Sequence, residues 1–117
     1  MNRPLIVATA VFMLLPPQFS DAAVVGPYDG EWTGIATSTG ERCKRAVVKV
    51  TVEGHAVFGQ ARFERETPNI NGTVGEDGAF GGTIGFQLLR GQFIRDEFEG
   101  TFKTFDCEWK ARLRRSR

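Results

Sequence analysis

The chain has 117 residues, 41% hydrophobic and 25% charged, with 15 Lys and Arg against 14 Asp and Glu. That length fits one small domain whose core alone stabilises it only marginally. One histidine, His55, and two cysteines without Cys-x-x-Cys spacing leave a zinc or redox site short of its ligand set.

Residues 1 to 22 read as a cleavable secretory signal peptide. Arg3 supplies the positive start, Leu5 to Leu15 carry no charge, Pro16-Pro17 end any helix, and Ser20-Asp21-Ala22 offers small residues to a peptidase. Cleavage is expected before Ala23, with Val24 as second choice. The apolar run is far shorter than the roughly 20 residues that span hydrocarbon, so a transmembrane segment is not expected in the mature form. No cysteine follows it, so nothing suggests a lipoprotein. The protein is expected to be exported, to a periplasm or the medium, as a single domain from residue 23 to 117.

In that setting Cys43 and Cys107 read as one disulfide. The 65-residue loop it closes corresponds to roughly 4 kcal/mol of stabilisation in the chain-entropy model.

After residue 28 a pattern recurs: apolar, any, glycine, any, apolar. It occurs around Gly30, Gly59, Gly72, Gly82, Gly91 and Gly100. Period-two alternation marks strands, and short, regular spacing with turn residues between marks an all-β sandwich or barrel. Turn signals stand at Thr39-Gly40, Gly54-His55, Thr67-Pro68, Asp77-Gly78 and Arg95-Asp96. Eight strands are predicted, near residues 28–37, 44–53, 56–65, 69–75, 79–86, 89–95, 97–104 and 107–114. Connections this short make neighbours antiparallel, giving an up-and-down meander. A bridge from the start of the second strand to the start of the last brings the meander's ends together, so closure into a barrel is expected.

Side-chain parity then predicts an interior of Trp32, Ala46, Val48, Val50, Val52, Val57, Ala61, Phe63, Ile70, Val74, Phe80, Ile84, Phe86, Leu89, Phe93, Phe98, Phe102, Trp109, Ala111 and Leu113. Eight strands leave a lumen that side chains can fill, with glycines opposite aromatic rings. A packed lumen is the first expectation, and an apolar pocket for one small ligand the second. The opposite parity presents Lys49, Glu53, Arg62, Glu99, Lys110 and Arg112, a wet exterior unlike the apolar band of an outer-membrane barrel.

Gly30-Glu31-Trp32 opening an eight-stranded meander resembles the Gly-x-Trp start of calycin-type barrels, the lipocalins and avidins. That resemblance implies a closed barrel with Gly30 and Trp32 as a structural motif at its closed end, and it would imply a small ligand held inside. The chain also looks like small exported bacterial proteins of unassigned function.

Little in the sequence points to catalysis, and no enzyme activity, cofactor or metal is expected. His55 sits in a tight turn with no serine or cysteine nucleophile placed near it. Glu97 with Glu99, and Asp106 with Glu108, share strand faces that point outward rather than into a cleft. Asn71-Gly72-Thr73 fits the glycan acceptor sequon and would matter in a eukaryotic source. The end of the chain is strongly basic: Lys110, Arg112, Arg114, Arg115 and Arg117 follow without an acid. Lys110, Arg112 and Arg114 share an outer face suited to anionic surfaces.

The function expected is that of an exported, non-enzymatic binding or inhibitory module. It would recognise a partner through the loops at the disulfide end, near residues 38–43, 66–68, 87–88 and 105–106. The alternatives are a carrier of a small apolar ligand and an envelope-associated protein held by its basic C-terminus.

Overall fold

A computed structural model describes residues 26–40, 42–104 and 106–116. The signal-peptide segment and its cleavage junction, Arg117, and residues 41 and 105 of the expected recognition loops lie outside them.

Eight strands follow in order: β1 (Gly30–Ser38), β2 (Ala46–Glu53), β3 (Ala56–Arg62), β4 (Asn69–Val74), β5 (Ala79–Ile84), β6 (Gln87–Ile94), β7 (Glu97–Lys103) and β8 (Glu108–Arg115). Each pairs antiparallel with the next, and β8 returns to β1, so the sheet is a closed meander barrel. Closure leaves no strand edge unpaired. No helix among the described residues is long and apolar enough to cross a membrane.

The turns follow their residue chemistry. Glu53 pairs with Ala56 around Gly54-His55, where Gly54 takes φ +64°, a conformation glycine adopts without a Cβ clash. Asp29 Oδ1 accepts from the Gly54 amide at 2.8 Å, tying this turn to the segment before β1.

The interior is apolar, and no polar or charged residue is fully buried among those described. Two pairs of inward glycines make room for phenylalanines. A Cβ on Gly72 or Gly82 would run into the Phe80 ring, and one on Gly91 or Gly100 into the Phe98 ring. Small and large residues thus share the lumen, which leaves a void of only about 20 Å³. That is room for about one water and no more.

The predicted interior stands with two corrections. Phe63 is half-buried, packed against the core at the barrel mouth. Phe86 is fully exposed, at 103% of its reference surface. The reason is local: β5 stops at Ile84, which pairs with Gln87, so Gly85 (φ +60°) and Phe86 form a two-residue turn. Beyond the predicted set, Ala36 and Cys107 are also buried.

Candidate functional site

The barrel has two ends of different construction. One gathers the segment 26–29, the turns at 54–55, 75–78 and 95–96, and the end of β8. Trp32, with no exposed surface, sits just inside it. Its indole N–H donates to the Tyr28 carbonyl at 2.9 Å, and its ring meets Phe93 edge-on at 4.8 Å. The Arg115 guanidinium lies over the same indole at 4.9 Å. Its Nη1 donates to the carbonyls of Pro27 and Asp29, Nη2 to that of Arg95, and Nε to Asp96 Oδ1. A Cβ on Gly30 would meet the Arg115 side chain at 3.1 Å. Gly30 and Trp32 therefore work as a structural unit at this closed end, with Arg115 as its third member. Arg115 shares the parity of Ala111 and Leu113, which is the sequence signal that sets it apart from Arg114.

The opposite end holds residues 39–40 and 42–45, the loop 63–68, residues 104 and 106–107, and the Gly85-Phe86 turn. Cys43 and Cys107 form the disulfide, with Cα atoms 6.5 Å apart, and join the first of these loops to the start of β8. Gly40 lies against it, for a Cβ there would come within 2.8 Å of Cys107 Sγ. Between these loops lies a hollow of about 680 Å³. Phe63, Phe102 and Trp109 line it: Phe63 meets Trp109 edge-on at 5.1 Å, and Phe102 stacks on Trp109 at 5.6 Å. Trp109 donates to Thr104 Oγ1 at 3.0 Å, so its polar edge is satisfied. Arg42, Lys44, Arg65, Glu64 and Glu66 also line it, with Lys44 and Glu64 paired at 3.6 Å. Phe86 stands at its margin. The turn that presents it is at 85–86, two residues earlier than the predicted 87–88.

Among the described residues the basic end does not form a free cationic stripe. Lys110, Arg112 and Arg114 do project from the outer face of β8, but β7 sets acids opposite two of them. Arg112 Nε lies 2.9 Å from Glu99, and Arg114 lies 3.8 Å from Glu97. Arg115 belongs to the closed end. Lys110 faces Thr101 on one side and Thr37 on the other. Exposed ion pairs of this kind stabilise by about 0–1 kcal/mol, yet they cancel charge at the surface.

The remaining chemical candidates stay apart. His55 Nδ1 lies 2.8 Å from the Val74 carbonyl, so Nδ1 carries the proton and donates it there. The Ser38 hydroxyl accepts from the Gly40 amide, and that of Ser116 donates to the Glu31 carbonyl. Among the described residues no group of three or more His, Cys, Asp or Glu side chains comes together. Asn71 is exposed on the outer face of β4.

These features define a closed eight-stranded meander barrel, plugged by Trp32 and Arg115 at one end and open over an aromatic hollow at the other. No family model, curated protein or solved structure matches the chain.

Proposed function

We propose that this protein is an exported, non-enzymatic binding or inhibitory module that engages a partner protein through its disulfide-braced end. The observation that carries the reading is Phe86. A phenylalanine wholly exposed at the tip of a two-residue turn gains about 1.5–3 kcal/mol when a partner buries it. The hollow beside it, with its aromatic lining and charged loops, offers the partner a complementary recess. Aromatic anchors next to such recesses are where binding energy concentrates. The rigid barrel and the Cys43–Cys107 bridge fix these loops before binding, which lowers the ordering cost. The packed lumen weighs against a carrier of apolar ligands.

Export rests on the leader reading together with the disulfide, which persists in oxidising compartments. The calycin likeness rests on Gly30 and Trp32 in a closed meander, as a likeness of architecture.

Affinity capture from the protein's own extracellular or periplasmic milieu tests the proposal, using the chain from Ala23 and its Phe86→Ser variant. The expected result is a protein retained by the parent and lost by the variant. If both retain the same set, Phe86 is not the anchor and the reading fails. Enzymes among the retained proteins would favour inhibition.

A further inference from the structure

A second recess lies on the outer wall, where β6, β7, β8 and β1 run side by side. The register sets Arg90, Thr101, Lys110 and Thr37 in one row across these four strands, and all four side chains are exposed. The other described cations on the outer faces of β7 and β8 are matched by acids: Lys103 by Glu108, Arg112 by Glu99 and Arg114 by Glu97. Arg90 and Lys110 have no such partner among the described residues. They stand two strands apart, about 10 Å between backbones, with only the short side chain of Thr101 between them. Both are long enough to reach an anion seated over that hydroxyl.

A hollow of about 670 Å³ opens at this place. Leu88, 58% exposed, lies at its β6 side, and Thr37 and Thr39 lie at its β1 side. The recess therefore combines two uncompensated cations, the mutually paired Lys103 and Glu108, several hydroxyls and one apolar patch, spread over three strand spacings, about 14 Å.

We infer that this groove binds an anionic oligosaccharide, with a sulfate or phosphate ester held between Arg90 and Lys110 over Thr101. Ring hydroxyls then meet Thr37 and Thr39, and the apolar face of a ring covers Leu88. Charge-assisted hydrogen bonds from Arg and Lys suit such an ester. A concave recess on a curved wall suits a short chain of sugars better than a flat bilayer. The groove adjoins the mouth, sharing Gln87, Phe102 and Trp109 with the aromatic hollow, but the inference turns on Arg90 and Lys110 and does not need Phe86.

Calorimetric titration with a heparin-derived sulfated tetrasaccharide at low salt tests it. Arg90→Gln/Lys110→Gln is compared with Arg112→Gln/Arg114→Gln, which removes the same charge from the same wall. The first pair should weaken binding at least about tenfold, because two hydrogen bonds to a charged group are lost. The second should weaken it less than about twofold, because those cations are already paired. All four positions are exposed, and an unchanged melting temperature verifies the fold. The desulfated tetrasaccharide should not bind. Equal losses in the two variants would mean diffuse attraction and overturn the site, as would failure of the parent to bind. Vesicles containing phosphatidylglycerol form the last arm. Vesicle binding that depends on Arg90 and Lys110 while the tetrasaccharide fails would assign the cations to a membrane and overturn the sugar.

Discussion

The two ends of the barrel use similar residues to opposite effect. Each has a tryptophan with its N–H satisfied and phenylalanines beside it: Trp32 with Phe93 at one end, Trp109 with Phe63 and Phe102 at the other. At the closed end an arginine covers the tryptophan and ties three backbone carbonyls and a carboxylate around it. At the mouth nothing equivalent crosses the aromatic group among the described residues, and a disulfide braces the loops from the side. Hydrogen bonds and burial are concentrated where the chain needs closing. Exposed apolar surface is left where the loops are rigid but open.

The sharpest way to break this comparison is to empty the closed end. Trp32→Ala removes the largest fully buried side chain and should cost about 3–5 kcal/mol, read by urea unfolding of the chain from Ala23. A loss below about 1 kcal/mol would show that Trp32 is not the plug described. Next comes the brace at the mouth. Cys43→Ser/Cys107→Ser should lower stability by about 2–4 kcal/mol, with the barrel still forming at low temperature by circular dichroism. Arg115→Met keeps much of the side-chain volume over Trp32 but deletes its donors, and should cost about 2 kcal/mol. Arg114→Met, one position away and exposed, should change stability by less than about 0.5 kcal/mol. Similar losses in these two arginine variants would erase the distinction between them. The smallest effect belongs to Phe86→Ser, whose unfolding free energy should stay within about 0.5 kcal/mol of the parent.

The fold was largely legible because period-two alternation and regularly spaced glycines leave few readings. Closure was legible through the cysteines, which tie the loop leading into the second strand to the start of the last and so leave the first strand to pair with both. What escaped was decided at strand ends. Continuing alternation through Gly85 puts Phe86 inside, yet Ile84 and Leu89 both face inward an odd number of residues apart. A turn with an even number of residues satisfies both, and the observed pairing of Ile84 with Gln87 makes it two, with Gly85 supplying the positive φ. By charge Arg115 belongs with its basic neighbours and by parity with Ala111 and Leu113; parity decides its place, over Trp32. The pairing of Arg112 and Arg114 with Glu99 and Glu97 depends on the β7–β8 register, which the loop at 104–107 sets and composition does not reveal.

Whether recognition belongs to the mouth can be read by amide hydrogen exchange on the chain from Ala23, alone and in complex with its captured partner. New protection is expected in segments 63–68, 84–88 and 104–107, with the turns at 54–55, 75–78 and 95–96 unchanged. Protection appearing instead around the closed end, with the mouth unaltered, would contradict it.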